Sequence, residues 1–328
     1  MATLYPFTDN DVDDAFAQLD KTLFDKAREA DGPERDPTPK MLIVAGAQGS
    51  GKTYLLEKQL LPSGRYEHFV RLYLPAFREL HPHYAEMSEQ GVLHVYEHTE
   101  AFIWALSGKV FAYAFANRYN IIMETALDDQ AFAAFPPAAV EAGYRFELHM
   151  IACKEAFSHW STLDRGVKSV AKGELERFLP LSKIEASQAN AKAILSAFEN
   201  ACIQAPGSQL TLYERGFETD QQSKVLCHST CDAYGELTPQ EDYAGQPFFR
   251  APHHDTGLEI RRSPQASFPS AYLQYFQVVH AGMFDEQVRQ QMVKACCKTL
   301  GQATDRVPLV SKDALRELSQ YVLKYTYP

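Results

Sequence analysis

Residues Gly46 to Thr53 read Gly-Ala-Gln-Gly-Ser-Gly-Lys-Thr, a G-x-x-x-x-G-K-T loop whose residue types suit one chemistry, the holding of a triphosphate. Its glycines let consecutive backbone N–H groups turn into one concavity at the positive end of a helix dipole. Gly46, Gln48, Gly49, Ser50 and Gly51 form the expected cradle. Lys52 is expected to reach the β- and γ-phosphates, and the Thr53 hydroxyl to hold Mg²⁺. The flanking residues supply the elements that such a loop needs. Met41-Leu42-Ile43-Val44-Ala45 reads as a strand buried on both faces, and Tyr54 to Leu61 as a helix stopped by Pro62. The implied ligand is a nucleoside triphosphate, ATP or GTP, with Mg²⁺.

The rest of the chain alternates strands and helices around that unit. A helix over 9–30, capped by Asp9 or Asn10, shows an apolar stripe of Val12, Phe16, Leu19, Leu23 and Phe24, and a polar linker over 31–39 follows. Strands are expected at 69–74, 120–123, 146–151 and 209–213, with helices over 100–117, from Pro136-Pro137 and over about 174–203. This order implies an α/β fold, a P-loop kinase-type parallel sheet covered by helices on both faces. Ligands in such sheets sit beyond the carboxyl ends of the strands, which marks Lys52, Pro75, Glu124 and Lys154. After Gly216 the pattern changes: 217–270 is rich in Pro, His and Ser, and 285–325 is helical again. We therefore divide the chain into a kinase-type domain, 1–216, and a mixed, partly helical C-terminal extension, 217–328.

The strand ends carry further candidates. Glu124 is placed to orient a substrate hydroxyl or to hold a water of the Mg²⁺ shell; a salt bridge or helix cap is the alternative. Asp128 and Asp129, just beyond the same strand, are candidate proton acceptors. Arg165 and Arg177 offer guanidinium donors for charge developing on a γ-phosphate, or are ordinary surface arginines. Phe77-Arg78-Glu79-Leu80-His81-Pro82-His83-Tyr84 suits an acceptor pocket, or a loop with a helix start at its proline. Cys227, Cys231, His253 and His254 lack the spacing of a zinc site, and Cys296-Cys297 reads as partial core packing. A net charge of -10, half of it within residues 1–40, disfavours nucleic acid as a partner. No apolar run is long enough to span a membrane, and the scattered cysteines read as reduced thiols of a cytoplasmic protein.

Together these segments resemble the zeta toxin family of P-loop kinases, which phosphorylate UDP-N-acetylglucosamine. The likeness runs through Phe7-Thr8-Asp9, Phe77-Arg78-x-x-His81-Pro82-x-Tyr84, Tyr119 to Thr125, Arg165, Arg177 with Pro180, and Gln209 to Arg215. It covers about residues 1–216. It implies ATP·Mg²⁺ as donor, a nucleotide-sugar hydroxyl as acceptor, and an antitoxin protein that blocks the nucleotide site. It also implies Arg165 and Arg177 as lid arginines and Glu124, with Thr125, as substrate-binding. Arg78 and His81 fall in its acceptor segment, and Glu100 is the stand-in for a further substrate carboxylate that aligns most simply with Gly108.

The departures cluster on the acceptor side. The family expects a catalytic aspartate where this chain has Pro75, and substrate-touching Thr and Arg residues where it has Ala126, Leu127, Asp128 and Asp129. Proline accepts no proton, so Asp128 is the substitute base we expect, alongside Lys52, Arg165 and Arg177. The alternative function is a catalytically weakened nucleotide-binding protein that acts through a protein partner.

Overall fold

The computed structural model describes residues 4–29, 38–90, 92–172, 178–250, 271–305 and 310–327. Helix α1 (Asp9–Leu23) is capped by Thr8, and not by Asp9 or Asn10 as the sequence led us to expect. The Asp11 N–H donates to Thr8 Oγ1 at 3.3 Å, and the Thr8 N–H donates to the Asp11 carboxylate at 2.7 Å. This reciprocal arrangement satisfies two otherwise orphaned donors, which is why threonine outcompetes the acids beside it. The helix breaks at fully buried Phe24 before the short α2 (Asp25–Glu29).

Strand β1 (Lys40–Ala45) is an interior strand of a seven-stranded sheet, paired along both edges. From β1 the chain passes through the phosphate loop into α3 (Lys52–Leu55), which widens to a π-helical turn over Leu56–Leu60. That turn ends where Pro62 withdraws an N–H from the ladder. Strand β2 is only Val70–Arg71, shorter than the 69–74 expected. It is an edge strand with one neighbour, and the chain leaves the sheet at Tyr73 to enter a 3₁₀ turn headed by Pro75. Helix α4 (Tyr84–Glu89) leads to α5 (Val92–Ala116), which begins eight residues before the expected Glu100. Its first turns look polar in sequence, but Tyr5 covers them: the Tyr5 hydroxyl is 2.8 Å from His94 Nε2, and its ring packs on His94 and His98.

Then follow β3 (Ile121–Thr125), α6 (Phe135–Glu141), β4 (Arg145–Ala152), α7 (Glu155–Ala171), α8 (Leu181–Ile203) and β5 (Gln209–Glu214). Strands β1 to β5 are parallel. The sheet does not stop at the boundary drawn at 217. Strand β6 (Lys224–Cys231) pairs antiparallel with β5, β7 (Leu237–Pro239) pairs with β6, and a separate hairpin joins β8 (Asp242–Tyr243) to β9 (Gln246–Pro247). The full order is β2-β3-β1-β4-β5-β6-β7. Helix α9 (Ala271–Val279) packs on α8, while α10 (Glu286–Thr304) and α11 (Lys312–Thr326) pack together against α7.

Alternation along the strands divides the interior in two. Met41, Ile43 and Ala45 face α1, α5, α6 and α8, whereas Leu42 and Val44 face α3, α7, α10 and α11. Cys296 is fully buried in the second layer and its neighbour Cys297 is exposed. No helix among the described residues is long and apolar enough to cross a membrane.

The second layer also holds a carboxylate. Glu147 accepts from Arg65 Nη2 at 2.9 Å, from His149 Nε2 at 3.3 Å and from the Tyr66 hydroxyl. Burial alone would raise this carboxyl, but the bonds from His149 and Tyr66 and the charge of Arg65 outweigh it and hold it at about 2. Because the folded value lies below that of the unfolded chain, the stabilisation is complete above pH 4.5 and is lost as pH falls toward 2. Glu147→Gln should therefore lower stability at neutral pH by about 2–4 kcal/mol, and the deficit should shrink on acidification. Urea unfolding of both proteins at pH 7 and near pH 3 reads the difference directly.

Candidate functional site

The loop keeps the shape that its glycines permit. Gly49 and Gly51 adopt left-handed φ values of 79° and 91°. A Cβ at Gly49 would lie 2.2 Å from the Ser158 carbonyl oxygen, so α7 presses directly on the loop. The Gly46 N–H donates to Thr125 O at 3.2 Å, and Ser158 Oγ donates to Gln48 O at 2.5 Å. Ser50 is fully buried. The amides of Gly49, Gly51, Lys52 and Thr53 make no hydrogen bond to a described residue, which leaves a concavity of donors suited to a polyphosphate.

Lys52 closes this concavity on itself. Its Nζ donates to Gly46 O at 2.7 Å and to Ala47 O at 3.1 Å. Desolvation pushes it down to about 8, opposed by the charges of Glu124 and Asp128 and assisted by that of Arg165. These contributions place three of the sequence candidates around one ammonium. A phosphate needs the charged lysine, and the fraction that is charged falls above pH 8. ATP affinity should therefore drop about tenfold between pH 7 and 9, with proton uptake on binding above pH 8. Calorimetry in buffers of different ionisation enthalpy measures both quantities.

Strand register sets the remaining groups. Val44 and Ala45 of β1 pair with Glu124 and Thr125 of β3, so Glu124 projects beside the start of α3. Thr53 Oγ1 donates to Glu124 Oε2 at 3.1 Å, and Arg71 Nη2 donates to Glu124 Oε1 at 3.1 Å. Arg71 continues the chain to Glu57 at 2.6 Å. A hydroxyl and a carboxylate thus converge where the loop meets the helix, a hard-oxygen set that fits Mg²⁺. Past β3 the backbone turns through Leu127 at φ 63°, a strained setting for a buried leucine. Helix α8 holds that turn: Asn190 Nδ2 donates to Leu127 O at 2.9 Å, and Ser187 Oγ donates to Asp128 Oδ1 at 2.7 Å. Asp129 caps a 3₁₀ turn by accepting from the Ala131 N–H at 2.8 Å.

The acceptor-side candidates lie along α5. Arg78 donates to Thr99, the residue before exposed Glu100, and reaches the Tyr73 hydroxyl at 3.5 Å. His81 is buried between Phe7 and Phe102, and burial first, with His83 second, pushes it down to about 4. It is a neutral imidazole whose Nδ1 accepts from the His83 N–H at 3.1 Å. A Cβ at Gly108 would meet nothing within 4 Å, so that helix face is open. Arg165 is exposed on α7, whereas Arg177, His253 and His254 lie outside the described residues.

Two participants, Arg71 and Arg215, escaped the sequence reading as site residues. Arg71 appeared only as a letter in an expected strand, although a charge within Phe69-Val70-Arg71-Leu72 was itself a signal. Arg215 lies against Gly51, with Nη1 3.4 Å from Gly49 O and its guanidinium 5.3 Å from the Phe157 ring centre. Lys154, which the sequence did mark as a group beyond a strand end, pairs with Glu218 and donates to Gly282 O at 3.0 Å.

Residues 25–224 match the family described as Zeta toxin. The chain belongs to the zeta toxin family. Solved structures repeat this member's fold. One, from work on the PezAT chromosomal toxin–antitoxin system of the human pathogen Streptococcus pneumoniae, is 17% identical with TM-score 0.56, covering 97% of this chain and 100% of that one. Another, AvrRxo1-ORF1:-ORF2 with ATP, is 12% identical with TM-score 0.56, covering 95% and 88%. A third, AvrRxo1-ORF1:AvrRxo1-ORF2 with sulphate ions, is 12% identical with TM-score 0.53, covering 96% and 84%. No curated protein sequence matches the chain. The expected P-loop kinase-type sheet is therefore present, with two antiparallel strands added, and the family is one of nucleotide-binding phosphotransferase-type toxins.

Proposed function

We propose that this zeta toxin family member is an ATP-dependent, cytoplasmic kinase that transfers the γ-phosphate to a hydroxyl of a nucleotide sugar, UDP-N-acetylglucosamine or a relative. One observation carries the reading: the Thr53–Glu124–Arg71 chain joins the phosphate loop to the end of β3, where an acceptor would lie. Lys52 exchanges the carbonyls of Gly46 and Ala47 for phosphate oxygens, and the free amides of the loop hold the rest of the tail. Thr53 and Glu124 would hold Mg²⁺, which when bound would supply positive charge against the phosphate tail. Arg165 and Arg177 are the guanidinium groups assigned to the charge that develops on the γ-phosphate. Asp128 takes the proton of the acceptor hydroxyl. Glu124, Thr125, Arg78, His81 and Glu100 line the acceptor side, where His81 contributes shape and a neutral ring rather than charge.

The first 216 residues supply these groups and the remainder braces α7: Trp160 Nε1 donates to Thr299 Oγ1 at 3.3 Å, and the His159 ring lies 2.7 Å from the Tyr321 hydroxyl. A protein antitoxin that covers the nucleotide site is part of the proposal. Incubation with ATP·Mg²⁺ and UDP-N-acetylglucosamine should add one phosphate to the sugar nucleotide by mass. Absence of transfer to it and to other nucleotide sugars, with ATP bound, would overturn the acceptor assignment. Pro75 at the head of its 3₁₀ turn favours a second reading, nucleotide binding without transfer, in which the chain acts through a protein partner. ATP binding with no consumption of ATP in a cell extract supports that reading.

A further inference from the structure

We propose that Trp104 is the platform on which the base of the acceptor nucleotide stacks; this deepens the kinase reading above and rests on it. Trp104 is 76% exposed, whereas Trp160, the other tryptophan of the chain, is buried. A single exposed ring is ordinary on a protein surface. Its height and direction on α5 set this one apart.

The height follows from lengths. The Tyr144 hydroxyl, just before β4, donates to Tyr119 O at 3.1 Å and reaches Ala114 O at 3.5 Å. The last turn of α5 thus lies level with the amino ends of the strands. From there the five residues of β3 rise about 17 Å, which α5 covers in about 11 residues. Trp104 and Ala105 therefore stand level with Glu124 and Thr125, and the earlier turns of α5 project beyond the sheet.

The direction follows from ring contacts. Phe111 packs on Phe135 with ring centres 5.8 Å apart, and Phe115 stacks on Tyr144 at 5.0 Å. Phe135 opens α6 and is itself stacked on Phe132 of the preceding 3₁₀ turn at 5.3 Å. This face of α5 looks toward the segment that follows β3. Trp104 precedes Phe111 by seven residues, within about 20° of it around the helix axis. Glu100 continues the same face one turn further on. The indole thus borders the side on which Glu124, Thr125 and the Asp128 turn end.

The neighbours leave the indole open to a flat ring. Ala101, Ala105 and Gly108 are small and exposed, and a Cβ at Gly108 would meet nothing within 4 Å. Any nucleobase has a π-face that can lie on such a ring. Glu100 offers carboxylate oxygens to a base N–H or a ribose hydroxyl, and its charge turns an anionic diphosphate away from that end. The base then lies at Trp104 and the phosphates point back toward the cationic groups of the site.

The test titrates the full chain, loaded with a non-hydrolysable ATP analogue and Mg²⁺, with UDP-N-acetylglucosamine, UMP and N-acetylglucosamine 1-phosphate. Because Trp160 is buried, iodide quenching of fluorescence reports on Trp104. The two ligands that carry a base should shield the indole from iodide, and the sugar phosphate should not. By calorimetry, Trp104→Ala should weaken UDP-N-acetylglucosamine about five- to a hundredfold, the range of base–aromatic stacks, and Trp104→Phe by no more than about threefold. The thermal midpoint of both variants should hold, since the position is exposed. Unchanged affinity in Trp104→Ala, equal shielding by the sugar phosphate, or no shielding by either base-carrying ligand would each overturn the stack. Binding is read without turnover. Transfer that persists with unchanged affinity in Trp104→Ala strikes the stack alone, whereas shielding without transfer strikes the kinase reading and keeps the stack.

Discussion

Lys52→Ala is expected to weaken ATP binding by about 10²-fold or more, equivalent to about 3 kcal/mol, and to remove turnover altogether. The size follows from burial. The Lys52 ammonium is half-buried and already pressed down to about 8, so part of its desolvation is in place before a phosphate arrives. A buried charge that meets a phosphate gains more than one that must first shed water. The alanine variant keeps the loop amides but leaves the carbonyls of Gly46 and Ala47 without their donor. Two orphaned carbonyls that water can reach cost little, so the thermal midpoint should move far less than the affinity. Calorimetry with ATP in magnesium buffer, beside a melting curve, separates the two effects. Unchanged ATP affinity in a folded Lys52→Ala protein would remove the nucleotide site from this loop.

The donor half was legible because its chemistry is local. Three glycines, a lysine and a threonine within eight residues fix one loop shape, and their neighbours fix the strand and helix around it. The parallel core was legible for a similar reason: strands buried on both faces read as continuous apolar runs. What lay hidden was set by distant partners. Helix α5 begins at Val92 because Tyr5 shelters its histidines, a contact no window around residue 92 contains. Strand β6 has no clean alternation because it sits on the β5 edge under the β8–β9 hairpin, where Tyr243 packs on His228. Thr8 won the cap over Asp9 through a bond to Asp11 that residue preference alone does not rank. The acceptor half was least legible. Its groups come from β2, β3, α5 and α8, and the Leu127 turn that aims Asp128 depends on Asn190, over sixty residues away.

Asp128→Asn should lower phosphoryl transfer by about 10²–10⁴ while ATP affinity stays close to that of the parent, the usual cost of a lost general base. The aspartate that the family places after its second strand is Pro75 here, at the first position of a 3₁₀ turn that carries no proton acceptor. Asp128 is the carboxylate that can replace it: it ends the turn after β3, Ser187 Oγ holds one of its oxygens at 2.7 Å, and its charge reaches Lys52. Asp129 is the internal control. It caps a 3₁₀ turn, a role that asparagine also fills, so Asp129→Asn should leave both folding and rate in place. Ser187→Ala removes only the positioning bond and should shift the pH–rate profile more than it lowers the maximum. Pro75→Asp added to Asp128→Asn tests the idea from the other side. Proline and aspartate are both tolerated in the first turn of a helix, so the exchange keeps the fold and returns a carboxylate to the family position. Recovery of rate in that double variant would show one proton acceptor moved between two strand ends; equal turnover in the parent and in Asp128→Asn/Asp129→Asn would show that Asp128 takes no proton.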